Sequence, residues 1–126
     1  MHSTNYRDTL VTVSADCPVA TGTIPEKHGT IAAVEYGLLA QPYAMTSDDL
    51  LFETHRARGG DQSREEFFAR PQACLRASPL VKQFGWGVHH DGEGRIALVG
   101  IESDVYRRML DDPTVAKTPG MRSKRA

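Results

Sequence analysis

Residues 76 to 95 collect the side chains of this chain best suited to chemistry. Arg76, Ser78 and Lys82 surround Pro79, a lone tryptophan (Trp86) stands between Gly85 and Gly87, His89 and His90 are adjacent, and Arg95 follows. Arginine makes paired hydrogen bonds to phosphate or carboxylate, lysine adds a point charge, and an indole offers a surface on which a base can stack. "MRSKRA" adds Arg122, Lys124 and Arg125, either as a loose tail or as a cationic arm that completes an anion site. The expected ligand-binding set is therefore Arg76, Ser78, Lys82, Trp86, His89, Arg95, Arg122, Lys124 and Arg125. Solvated surface charge is the competing reading for the cations.

His89 and Cys74 are the catalytic candidates. If residues 84 to 90 form a strand, alternation puts Phe84, Trp86, Val88 and His90 on one face and Gly85, Gly87 and His89 on the other. Glycines in a strand leave bare backbone, which suits either close helix packing or the approach of a ligand beside His89, whose ordinary pKa lies near neutrality. Cys74 pairs with His89 in a conceivable nucleophile–base couple, and a buried core thiol is the alternative. Imidazoles on opposite faces cannot share one ion, and His2, His28 and His55 lack ligand spacing, so no metal is expected. There is no cofactor motif, and no cofactor is expected.

These residues need elements to position them. "DTLVTVSADCP" is β-branched and ends in a turn, giving a strand at about 9 to 14. Ile31, Val34 and Leu38 recur at helical spacing, with Pro42 as the stop. Thr46 or Ser47 caps a helix whose first turn holds Asp48 and Asp49, whose inner residues are Leu50, Leu51 and Phe52, and which Gly59 closes. Ser63, Glu65 and Glu66 start a shorter helix that carries Phe67 and Phe68 and ends at Pro71. Residues 84 to 90 and 95 to 101 flank "DGEG" as a β-hairpin. Ser103 caps a last helix with Val105, Tyr106, Met109 and Leu110 as its apolar face. The sum is an α+β fold, a small antiparallel sheet with a central β-hairpin covered on one face by short helices. A single domain over 1–126 is expected, with a basic tail at about 117–126.

A chain of 126 residues with 40% hydrophobic and 25% charged residues can bury a core without a disulfide or metal, so a compact domain is expected rather than a disordered chain. Cys17 and Cys74 lack C-x-x-C spacing and read as free thiols of a reducing compartment. No apolar run approaches a membrane span and the start lacks a secretory pattern; the expected location is cytoplasmic, with no membrane partner. The net charge of -1 argues against a protein devoted to coating nucleic acid. Its distribution is uneven: residues 1 to 63 hold 4 Lys/Arg and 8 Asp/Glu (-4), and residues 64 to 126 hold 11 and 8 (+3).

The blocks "SDDLLF", "CLRASPL", "FGWGVHHDGEGRIAL" and "MRSKR", in this order and with the match running from "NYRDTLVTVSADCPV" over nearly the whole chain, resemble a family of short bacterial and fungal proteins classed only as a domain of unknown function. The corresponding motif positions are Arg76, Ser78, Pro79, Leu80, Gly85, Trp86, Gly87, His89, Met121, Arg122, Lys124 and Arg125. The resemblance implies a single-domain cytosolic protein and no particular activity. Phe84 departs from the tyrosine of the pattern and removes a hydroxyl.

The leading expectation is a binding module for an anionic small molecule, nucleotide or nucleic acid, built on the 76–100 region and the basic end. The alternatives are an enzyme with His89 as acid or base and Arg76 as anion clamp, and a protein-interaction module anchored by Trp86.

Overall fold

The computed structural model describes residues 3–124. In chain order the elements are β1 (Thr9–Thr12), α1 (Ile31–Leu38), α2 (Ser47–Ala57), α3 (Arg64–Phe68), a 3-10 turn (Leu75–Ala77), α4 (Pro79–Gln83), β2 (Trp86–His90), β3 (Ile96–Gly100), α5 (Asp104–Asp111) and β4 (Ala116–Pro119). The α+β class is as the sequence predicts. Among the described residues no helix is long and apolar enough to cross a membrane.

The expected caps form. Thr46 and Asp49 exchange hydrogen bonds in a capping box, Ser63 and Glu66 form another, and Ser103 accepts from the Tyr106 amide. Such caps contribute about 1 kcal/mol each by satisfying amides that have no partner inside the helix. The hairpin turn is held by the Asp91 carboxylate, which accepts from the amides of Glu93 and Arg95, both at 2.9 Å.

The sheet runs β3-β2-β1-β4, with β1, β2 and β3 mutually antiparallel between neighbours and β4 parallel to β1. It is therefore mixed, and the hairpin flanks β1 rather than occupying the centre. The cause is α5: β3 and β4 point the same way at opposite edges, so the chain must cross one face to reach the far side, and a helix makes the crossing. Residues expected in a tail thus supply a strand. Because α5 covers the second face, helices lie on both sides. Val11, Val88 and Ile96 pack under Leu39, Leu50, Leu75 and Val81 on one side, while Leu10, Val13, Val99 and Tyr106 form a core on the other.

Two helical faces differ from their sequence spacing. In α1 the buried residues are Ala32, Glu35 and, at the cap, Leu39, one position on from Ile31, Val34 and Leu38; Ile31 is 40% exposed. Small Ala32 permits close packing, and the Glu35 carboxyl finds a hydroxyl to accept from. In α5, Tyr106 is buried while Val105 and Leu110 face solvent.

Candidate functional site

Strand alternation places Val88 and His90 on the α1–α4 side and Gly87 and His89 on the α5 side, as pleat geometry requires. The bare backbone is nevertheless occupied. A Cβ at Gly87 would stand 2.8 Å from the Tyr106 ring and 3.1 Å from the Val11 carbonyl oxygen. Gly85 precedes the strand with φ +79°, and a Cβ there would come within 2.3 Å of the Thr21 carbonyl oxygen. The ligand groove envisaged beside His89 is filled by the protein itself, because α5 crosses β2 at its narrowest residue. Trp86 is likewise engaged: its indole N–H donates to the Thr23 carbonyl at 2.8 Å and its ring covers Gly22. It clamps the 21–23 loop instead of offering a free stacking surface.

The predicted cations separate into two groups. Arg76 Nε donates to the Pro119 carbonyl at 2.6 Å, and the Arg76 carbonyl accepts the Met121 amide at 2.7 Å, at the end of the sheet where Thr12 pairs with Pro119. Arg95 sits at the other end, beside the His90–Ile96 pair, and bridges Glu93 at 3.0 Å. With a rise of about 3.3 Å per residue, roughly 10 Å of strand divides them, too far for one small anion. Lys82 stands in the last turn of α4. The amides of Ser123 and Lys124 donate to the Asp16 carboxylate at 3.0 and 2.9 Å, so an internal carboxylate already fills the place an anion would take. Those hydrogen bonds, aided by the Arg122 charge, hold the Asp16 carboxyl below its usual pKa. Arg125 lies outside the described residues.

His89 and Cys74 do not meet. His89 is half-buried on the α5 side, with Nδ1 2.8 Å from the Tyr43 hydroxyl, and burial lowers its pKa against the opposing pull of Asp91 and Asp8. Cys74 is on the opposite side of the sheet, its sulfur 3.3 Å from the Tyr6 hydroxyl. The Tyr6 pKa is raised, first by that hydrogen bond and then by burial, with Arg76 acting in the opposite sense. The histidine on the Tyr6 side is His90, whose ring meets the Tyr6 ring edge-on at 5.2 Å. His90 is wholly buried with neither ring nitrogen hydrogen-bonded, and burial, with the neighbouring His89, lowers its pKa to about 4. Among the described residues no three ligating side chains gather to hold a metal.

The structure brings together a different set. A cleft of about 210 Å³ opens between α1, α2 and the Cys74–Pro79 segment, walled by Ile31, Leu51, Ala73, Leu75 and Ala77, with Gln72, Cys74, Ser78 and Glu35 as its polar members. Glu35 is 2% exposed. Ser78 positions it: its Oγ accepts the Leu80 amide at 3.1 Å as the cap of α4 and donates to Glu35 Oε1 at 2.7 Å. Burial raises the Glu35 pKa to about 7 and the Ser78 hydrogen bond opposes the rise; no charged side chain contributes. A larger hollow of about 600 Å³ beside α3 has only exposed Arg64 and Glu65 as polar lining.

Of the expected site residues, Ser78 and Cys74 reach this cleft and Arg76 adjoins it through Tyr6. Sequence reasoning missed Glu35. The available signal was its isolation: a single carboxylate in "IAAVEYGLLA", three residues after Ala32 and four before Leu39.

Fold and cleft define a small α+β domain with a mixed four-stranded sheet and a buried, near-neutral carboxyl at a solvent-open cleft. Its family model spans residues 1–126, and the chain belongs to that family, a family of unknown function (DUF6157). No curated protein and no solved structure matches the chain.

Proposed function

We propose that the protein binds a small molecule in the cleft between α1, α2 and the Cys74–Pro79 segment, with Glu35 as the group that hydrogen-bonds it and exchanges a proton with it. The observation that carries this reading is a carboxyl buried from water at the wall of an open cleft, hydrogen-bonded by Ser78 and, among the described residues, by no cation. A carboxyl that titrates near neutrality is suited to general acid–base work, and buried perturbed groups cluster at functional sites. A purely structural bracket for Ser78 needs no opening beside it. The two free thiols, Cys17 and Cys74, support a cytoplasmic setting. A fragment screen by amide NMR tests the proposal: hits are expected to shift residues 31–35 and 73–79, and Ala73→Trp, which fills the exposed mouth, abolishes those shifts. Hits that map elsewhere, or that ignore Ala73→Trp, overturn it.

A second reading, binding of an anionic small molecule, nucleotide or single-stranded nucleic acid, is favoured by one observation. Arg122 and Lys124 keep exposed side chains beside Asp16, whose carboxylate takes up the Ser123 and Lys124 amides and leaves the two side-chain charges to meet a phosphate from solvent. Its test is the salt dependence of oligonucleotide binding, with about 0.7 logarithmic units per phosphate contact expected. Absence of binding at low salt, or indifference to Arg122→Ala and Lys124→Ala together, counts against it.

A further inference from the structure

We propose that the occupant of the Glu35 cleft is a small organic cation, an aryl- or alkyl-ammonium, whose N–H groups meet the Glu35 carboxylate while its hydrocarbon part lies on Ile31, Leu51 and Leu75. This rests on the reading of the cleft as a small-molecule site and names the class of its ligand.

Charge balance in a confined place selects a cation. A carboxylate removed from water needs a compensating charge or several hydrogen bonds. Here the described hydrogen bonding to the carboxylate is the one at Oε1 from Ser78. The Ser78 hydroxyl is already committed on both sides, donating to Glu35 and accepting from Leu80. Among the described residues no Lys or Arg lines the cleft, and no charged group on α2, α4 or the Cys74–Pro79 segment perturbs the Glu35 ionisation. The remaining wall is aliphatic or neutral, with Cys74 as the other titratable side chain. A ligand that brings its own positive charge supplies the missing partner. A neutral ligand leaves the carboxylate as it is, and an anionic one meets repulsion that the low local dielectric enlarges. Size sets the other limit: about 210 Å³ is below the roughly 300 Å³ at which drug-sized pockets begin, so one ring or a short chain fills it.

Benzylammonium and its neutral isostere benzyl alcohol are the probes, titrated calorimetrically into the full chain in phosphate, since amine buffers are themselves organic cations. At pH 7.5 benzylammonium is expected to bind at least tenfold more tightly than the alcohol, and Glu35→Gln is expected to erase that difference. Below pH 7 the ammonium affinity is expected to weaken about tenfold per pH unit as Glu35 takes up its proton, while the alcohol affinity stays level. Equal affinity of the two probes on the unaltered chain, or a preference that survives Glu35→Gln, overturns the inference and leaves the cleft reading standing. If neither probe binds, this inference falls; the cleft reading is then decided separately by the Ala73→Trp comparison.

Discussion

The carboxylate of Asp16 accepts the backbone amide of Lys124 at 2.9 Å, which ties the basic segment to the loop that follows β1. With Ser14 Oγ donating to the Met121 carbonyl at 2.6 Å and Arg76 gripping both sides of Gly120, residues 119 to 124 are laid back along the molecule. The "RASPL" and "MRSK" motifs are therefore partners in one brace.

This brace predicts protection from proteolysis. Asp16→Ala releases the Ser123 and Lys124 amides, and cleavage after Arg122 and Lys124 by trypsin is expected to accelerate severalfold while the far-ultraviolet circular dichroism is unchanged. An unaltered cleavage rate counts against the role given to Asp16.

Gly87 predicts a steric coupling. Adding a methyl at Gly87 forces the Tyr106 ring or the Val11 carbonyl to move, so Gly87→Ala is expected to cost about 1–3 kcal/mol in urea unfolding. Tyr106→Ala removes the obstructing ring, so the double variant is expected to lose less than the two single losses added together. Strict additivity sinks the account of the crossing.

Trp86 predicts a local optical probe. As the chain has one tryptophan, its fluorescence reports the clamp on residues 21 to 23. Trp86→Phe keeps an aromatic ring but loses the N–H bond to Thr23, with an expected cost of about 1 kcal/mol. Faster amide exchange at Gly22 and Thr23 in that variant is the check.

His90 and Glu35 predict opposing pH responses. A folded pKa of about 4 for His90, below the ordinary 6.5, means the unfolded chain binds more protons between those values; its contribution to stability is whole above about pH 6.5 and is lost as pH falls towards 4. The full loss is on the order of 3 kcal/mol. Glu35, raised from 4.5 to about 7, has the reverse sign: its neutral form is favoured in the fold, so stability falls as pH rises from about 4.5 to 7. Between pH 4.5 and 6.5 the two slopes cancel. Glu35→Gln should therefore expose a stability that climbs with pH across that window, and His90→Phe one that declines. Both are read from urea midpoints at several pH values, and identical profiles in the two variants would refute the assignment.

Much of the fold was legible from residues whose role is local. Thr46, Ser63 and Ser103 cap the helices they precede because an amide lacking a partner finds the nearest hydroxyl, and Asp91 with Gly94 makes the hairpin turn, whatever lies further off. What was illegible depends on contacts distant in sequence. The β4 segment, with exposed Lys117 and Pro119, has no strand-like pattern of its own and becomes a strand because α5 delivers it to β1. The inward face of α1 departs from its own apolar spacing, and the Glu35 that it buries finds its partner in Ser78, 43 residues on, a contact no local pattern shows. Arg76 and Arg95, both members of the expected anion-binding set, are parted by the length of the strands between them.

The pairing of β1 carries a kinetic consequence. Thr9 bonds to neighbours at His90 on one flank and Ala116 on the other, both made long after it in synthesis. The central strand of the sheet must wait, unzipped on both edges, while most of the chain is searched for its partners, so folding is expected to be slow for a domain of this size and open to help from a chaperone that shields a waiting strand.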